Sequence, residues 1–313
     1  MKEYLLKIIG IIILVFILKD VDIRLVALNI KDCNLFLLIA AVILETSCII
    51  PKAIKWQVIL KALKIKASFF DSLRAYWSGL FFGAITPGKV GDISRVYFLS
   101  KHNPFIVRSI FSVVLDRLSD IVVLLLIGLA VSFFYLNEIK FLNFAILLTL
   151  AGLCLSATLM FLKRDFFYSL FMKLLYKFIP KERLWLKVNP NYEILKDIKP
   201  INYILVFMYL LLAWAIYFLA YWVLSKALFI EMPFLYLVGT VTVATIVSLI
   251  PISISGLGTR DAAVVFMLSK IGISKTSALS FSLMMFAIGM FIVSFGFIFY
   301  FQGQGRRALR VDG

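Results

Sequence analysis

Eight apolar stretches, at roughly 4–18, 34–51, 68–86, 104–136, 139–162, 201–225, 233–272 and 276–300, set the terms on which this chain can fold. Several approach the ~20 residues that a helix needs to cross the hydrocarbon of a bilayer. With 63% hydrophobic residues and a mean hydropathy of +1.01 over 313 residues, the chain reads as a polytopic membrane protein. In lipid every backbone N–H and C=O needs a partner, so irregular chain at membrane depth persists only where protein surrounds it or a cavity borders it. Two places break that expectation of regular helix: Thr86-Pro-Gly-Lys-Val-Gly-Asp-Ile-Ser-Arg95 and Pro251-Ile-Ser-Ile-Ser-Gly-Leu-Gly-Thr-Arg260. Each sets helix breakers and then an arginine inside apolar sequence, and each marks a candidate site.

The side on which each connection lies follows from charge. Lys52, Lys55, Lys61, Lys64 and Lys66 fall in 52–66 without an acid, and 163–199 is rich in lysine and arginine, so both are expected as cytoplasmic loops. The N-terminus joins them there. The formal net charge of +16 is then the basic excess of loops beside anionic lipid and gives no reason to invoke nucleic acid. Connections at 19–33, 137–140 and 226–231 carry both signs and are expected outside.

These sides leave 68–103 as a hairpin that enters and leaves from the cytoplasm and 233–272 as one that enters from outside, with Pro251 to Arg260 at its tip. Two re-entrant hairpins from opposite faces are the layout of inverted-repeat transporters. Pro87, Gly91 and Arg95 align with Pro251, Gly256 and Arg260 as a weak repeat; Gly88 and Gly258 add to the breaks. The expected fold is all-α, with about six full transmembrane helices plus the two broken-helix hairpins. It forms one transmembrane domain over 1–302, with halves at 1–136 and 139–302. Residues 164–179 space Lys173 and Lys177 among aromatic and leucine residues and suit a helix lying in the interface, and 52–64, with Trp56 beside Lys55, a shorter version. The tail 303–313 changes composition abruptly, and Tyr300-Phe-Gln-Gly303 matches the end of a protease-site linker, so the tail carries no functional argument.

A charge near the bilayer centre costs at least ~2.5 kcal/mol, so every immersed ionisable residue needs a partner or a wet cavity. Asp116 and Asp120 lie four apart on one helical face with Arg117 alongside. They either neutralise one another within the helix or turn Arg117 toward an anionic headgroup, with Asp120 orienting it. Arg95 follows its Pro-Gly break with Asp92 three residues before it. Arg260, beside Asp261, opens the second half of its hairpin, where free N–H groups and the helix dipole favour a phosphate or carboxylate. Ser253, Ser255 and Thr259 add hydroxyls. Glu45, alone in its segment, is expected to pair with one of these arginines, the other use being a proton site.

One histidine, His102, argues against a histidine metal centre or a Ser-His-Asp hydrolase. Cys33, Cys48 and Cys154 stand at no metal or redox spacing. No phosphate-binding lysine loop appears, so ATP-driven pumping is not expected. No cofactor and no resident metal are expected.

At these residues the chain resembles the flippase-like family built on the transmembrane region of lysylphosphatidylglycerol synthases. The features run in order: Lys55-Trp56, Thr86-Pro-Gly-Lys-Val-Gly91 with Arg95, Asp116-Arg117 with Asp120, and Pro251-Ile-Ser-Ile-Ser-Gly-Leu-Gly-Thr-Arg-Asp261. The resemblance, over about residues 1 to 302, implies a non-enzymatic translocase moving a lipid between leaflets of the cytoplasmic membrane. The substrate would be an anionic or aminoacylated phospholipid or a polyprenyl-phosphate-type lipid. Arg95, Arg117 and Arg260 would handle the headgroup, with Asp92, Asp120, Asp261, Glu45, Ser253, Ser255 and Thr259 around them. The chain departs from the two-domain synthases in showing no soluble aminoacyl-transferase domain. Two other readings stand beside this one: a non-transporting partner of a lipid-synthesising enzyme, and a membrane-embedded transferase that uses a lipid-phosphate donor and a metal at Asp20 and Asp22.

Overall fold

A computed structural model describes residues 21–99, 106–135, 199–250 and 253–311, with isolated positions between 13 and 19. The described residues form helices and connections and no strand. In order these are α1 (Ile23–Lys31), α2 (Leu35–Ser47), α3 (Ile49–Ala62), α4 (Phe69–Ile85), a 3₁₀ segment Pro87–Ile93, α5 (Ser94–Leu99), α6 (Ile106–Tyr135), α7 (Pro200–Ala227), α8 (Phe234–Leu249), a short 3₁₀ turn Ile254–Gly256, α9 (Thr259–Ser269) and α10 (Lys275–Val311). The candidate interfacial helix at 164–179 and the segment 139–162 lie outside the described residues, as does Pro251.

Local chemistry sets the helix starts. Asn34 accepts the Leu37 N–H at 3.1 Å, Ser68 accepts that of Asp71 at 3.1 Å, and Pro200 opens α7, each satisfying or removing an orphan donor of a first turn. Asp22 serves α1 in the same way, its Oδ1 accepting the Arg24 N–H at 2.8 Å. That cap accounts for a carboxylate read from sequence as half of a metal-type pair; Asp20 lies outside the described residues.

Three stretches are long and apolar enough to cross a membrane: Leu35–Ala62, which takes in α2 and α3, Pro200–Ala227 and Lys275–Tyr300. α6 is also long, 30 residues or about 45 Å. Many large apolar side chains point outward, Phe36 at 79% exposure and Phe207 and Met208 above half, while Lys55, Arg95, Asp92 and Asp116 lie inside, among core residues such as Trp56 and Tyr76, at a few per cent or less. An apolar outer face around buried charge departs from a water-soluble chain and fits hydrocarbon as solvent. The chain is an all-helical, multi-pass membrane protein.

α7 packs along α2 and α3, α10 along α4 and α1, and α6 against α3 and α8. Two helix pairs fold back on themselves. α4 turns through Pro87–Ile93 into α5, and both the turn and α5 lie against α4; α9 follows the short 3₁₀ turn Ile254–Gly256 and packs on α8.

One expectation needs correction. The lysine-rich stretch 52–66 is not a loop through its length: α3 continues to Ala62, and Lys55 and Trp56 are fully buried. Lysine count registers charge but not periodicity. Lys61, Lys64 and Lys66 do face solvent, whereas Lys55 points into the bundle.

Candidate functional site

Six charged side chains from three places in the chain close into one ring. Lys55 Nζ on α3 reaches Asp120 at 2.8 Å and Asp116 at 3.0 Å, both on α6. Asp116 holds Arg95 at 2.8 Å on α5, and Arg95 lies 3.4 Å from Asp92 at the end of the 3₁₀ segment. Asp92 meets Arg117 Nε at 2.5 Å, and Arg117 returns to Asp120 at 3.7 Å. Charge alternates around the circuit, three cations against three acids. Each buried ion therefore has a counter-ion on both sides, the condition under which burial of charge is tolerated at all.

The ring is built on a helix face stripped of side chains. Ala75, Gly79 and Gly83 recur every four residues on α4, a small-residue stripe that lets a neighbouring backbone approach closely. A Cβ on Gly79 would lie 2.5 Å from Arg95 Cγ, and one on Gly83 would lie 2.7 Å from Asp92 Oδ1. Gly91 has no room either, because a side chain there would strike the carbonyl of Phe82. Arg95 also stacks its guanidinium on Tyr76, 3.8 Å from the ring centroid, with Trp56 5.5 Å away. Trp56 in turn donates to Ser112 Oγ at 3.2 Å.

Members of the ring differ in access. Lys55, Arg95 and Asp116 are wholly buried, whereas the Arg117 side chain is 25% exposed, and its Nη2 has no hydrogen-bond partner among the described residues. Beside it stands Lys89, whose charge acts on the same Asp92 and Arg117 neighbourhood, and no carboxylate forms an ion pair with Lys89 among the described residues. Lys89 has a backbone φ of 57°, a left-handed conformation that costs a side-chain-bearing residue ~1–2 kcal/mol. The break thus holds strain where two cations, Arg117 and Lys89, adjoin the ring's edge.

The second break is assembled differently. Ser255, at φ 51°, occupies the left-handed region, as do Gly256 at 79° and Gly258 at 84°. Asp261 organises the restart of the helix: its Oδ2 accepts the Gly258 N–H at 2.8 Å, and its Oδ1 accepts from Arg260 Nη2 and from Ser282 Oγ, both at 2.6 Å. Arg260 Nη2 also donates to the Ser282 carbonyl at 3.0 Å, and its guanidinium lies over Phe286 at 5.2 Å. Ser253 and Thr259 meet at 3.0 Å. The helix start expected to cradle an external anion is therefore already occupied in part by Asp261. The two breaks touch, because Ser255 Oγ donates to the carbonyl of Ala84 at 2.8 Å, one residue from the end of α4.

The structure brings Arg95, Arg117, Asp92 and Asp120 into one ring and keeps Arg260, Asp261, Ser253 and Thr259 at the other break, with Ser255 between. Glu45 belongs to neither. It accepts a hydrogen bond from Tyr221 at 2.8 Å and makes no ion pair with an arginine among the described residues. The expected pairing fails because aspartates already hold the arginines. From sequence, Tyr76, Gly79 and Gly83 are not singled out as site residues, and Lys55, Lys89 and Asp116 stand only as members of motifs, without a role of their own. The four-residue spacing of Ala75, Gly79 and Gly83 was the legible signal for the close approach.

An all-helical bundle with paired helix breaks and mutually neutralised buried charge defines the class of polytopic membrane proteins with a charged interior. Within it, this chain belongs to the family described as the lysylphosphatidylglycerol synthase TM region, whose model matches residues 5–296. It is similar to a UPF0104 membrane protein of Archaeoglobus fulgidus, 26% identical over 263 residues, covering 77% of this chain and 78% of that one. A UPF0104 membrane protein of Pyrococcus horikoshii is 25% identical over 126 residues, 39% of this chain and 38% of its own length. No solved structure matches.

Proposed function

We propose that the protein is a lipid translocase in which an anionic headgroup passes along the polar seam between the two helix breaks while the acyl chains stay in hydrocarbon. The observation that supports this is the edge of the charge ring where Arg117, 25% exposed, keeps a buried Nη2 without a hydrogen-bond partner, with Lys89 beside it and no ion pair to Lys89 among the described residues. A phosphate admitted there by a small shift of the packing over Arg117 would gain two cations while Arg95, Lys55 and the aspartates keep their pairs. Arg95 holds the ring closed from behind, and Arg260, with Ser253, Ser255 and Thr259, forms the second station. The substrate class is an anionic or aminoacylated phospholipid or a polyprenyl-phosphate-type lipid, consistent with family membership.

In this reading the chain is not an enzyme by itself and works beside a lipid-synthesising one. It is one domain over 1–302 in two inverted halves, in the cytoplasmic membrane, with the N-terminus and 163–199 inside. The hairpins enter from opposite faces. A single cysteine at Ser255 that is labelled from the cytoplasm alone would remove that arrangement.

The decisive experiment reconstitutes purified protein in liposomes carrying labelled anionic, zwitterionic and aminoacylated lipids. A charge-assisted hydrogen bond contributes ~1.5–3 kcal/mol, so Arg117→Gln and Arg260→Ala should slow movement by about tenfold to a hundredfold. No movement of any lipid, or movement indifferent to both substitutions, would overturn the reading in favour of a non-transporting partner.

A further inference from the structure

Glu45 stands apart from every other buried acid described. Asp92, Asp116, Asp120 and Asp261 each form an ion pair. Glu45 forms none among the described residues, although it keeps only 9% exposure and lies within the span Leu35–Ala62, about 15 Å from its start by helical rise. Its recorded hydrogen bond comes from the Tyr221 hydroxyl. An ionised carboxylate so placed has no counter-charge in contact, whereas a neutral carboxyl accepts the same hydrogen bond without that penalty.

The surroundings supply a partner at a distance. From α7 come Tyr221 and Tyr217, ring centroids 4.7 Å apart. From α3 and the residue before it come Lys52 and Cys48, the Cys48 thiol donating to the Ala213 carbonyl at 3.2 Å. α9 contributes Arg260, already tied to Asp261, and α10 contributes Gly289, where a Cβ would sit 3.9 Å from Glu45 Oε1. Lys52 and Arg260 are the two cations whose charge reaches Glu45. Lys52 rests over the rings of Trp214 and Tyr217, 5.3 and 5.0 Å from their centroids, a hold weaker than an ion pair and more readily left.

From this isolation of Glu45 beside a loosely held Lys52, we infer that Glu45 is a proton-binding site that couples lipid movement to a proton gradient. Resting on the translocase reading, the cycle has Glu45 protonated in the conformation described. When Lys52 swings from the rings to the carboxylate, the Glu45 O–H bond breaks, the proton passes to water and an ion pair takes its place. Reprotonation from the other side returns Lys52 to the rings. Charge balances at each step, and no other co-reactant is required.

Two measurements separate this inference from the reading beneath it. In the liposome assay with an imposed pH difference, one coupled proton shifts the steady-state lipid ratio between leaflets by up to ~tenfold per pH unit. Wild type should show that shift and Glu45→Gln should move lipid with no dependence on the gradient. Independently of transport, infrared spectra of the reconstituted protein at neutral pH should contain a protonated-carboxyl carbonyl band that Glu45→Gln removes and Tyr221→Phe displaces. Lipid movement unaffected by the gradient in wild type, or an infrared spectrum without that band, overturns the proton site. If no lipid moves at all, the translocase reading falls, and the infrared band still decides whether Glu45 holds a proton.

Discussion

The two helix breaks share a sequence skeleton and part company in how they are held. In both, a break is followed by an arginine at the second position of the returning helix, Arg95 in Ser94–Leu99 and Arg260 in Thr259–Ser269, and in both a residue other than glycine takes a left-handed backbone, Lys89 and Ser255. The first break is fastened from outside, since Arg95 and Asp92 find their partners on α6 and, through Asp116 and Asp120, on α3. The second carries its own counter-ion: Asp261 satisfies its own neighbour Arg260 and its own helix start, and the break is tied outward by two hydrogen bonds to Ser282 and the Phe286 ring on α10 and by Ser255 to Ala84 on α4. A break anchored by several helices reports their relative positions, while one that carries its own counter-ion can move as a unit. Under the proposed translocase function, the first break would be the fixed station and the second the moving one.

The largest effect that would test this contrast is at the centre of the ring. Asp116→Asn leaves Lys55 and Arg95 short of a counter-ion in the interior and should cost about 3–5 kcal/mol, read as a lower unfolding midpoint in detergent. The loss should propagate to protection of α3, α5 and α6 alike in hydrogen exchange, whereas Asp261→Asn should loosen the α8–α9 pair with little change at α3. Equal spread from both substitutions would erase the distinction.

Gly79→Ala comes next. Its new methyl group meets the Arg95 side chain, and overpacking of this kind costs about 1–3 kcal/mol; replacing Arg95 by lysine in the same protein should relieve part of it. Ser255→Ala removes the hydrogen bond to Ala84 that joins the two breaks, worth about 0.5–1.5 kcal/mol. A cysteine at the second tip should then label faster while the ring keeps its protection. Arg117→Gln takes one of the two counter-ions from buried Asp92 and should cost less than Asp116→Asn, because Arg95 stays beside Asp92, although this variant should lose lipid movement. A midpoint lowered as far as that of Asp116→Asn, with lipid movement kept, would leave Arg117 a structural role alone.

Much of the architecture was legible before any coordinates. Apolar runs marked the membrane-crossing helices Leu35–Ala62, Pro200–Ala227 and Lys275–Tyr300, although the extension of the first through Lys52 and Lys55 was hidden by a lysine count. Both breaks were evident from their Pro, Gly and Arg residues. The face that carries Asp116 and Asp120 was evident from their four-residue spacing. What could not be read was pairing. Glu45 had several arginines to choose from in the sequence, and in the structure it meets Tyr221.

The physical reason lies in the range of each force. Solvent preference and backbone conformation are properties of a residue and its near neighbours, so the amino-acid sequence by itself determined that this is a helical membrane protein, where its helices break, and which charged groups must be sheltered. An ion pair acts between side chains brought within a few ångströms by helices far apart in the chain. Only the tertiary structure, through the bare face of Gly79 and Gly83 that lets Arg95 and Asp92 lie against α4, decided that Lys55, Arg95 and Arg117 close a ring with three aspartates and that Glu45 is left outside it.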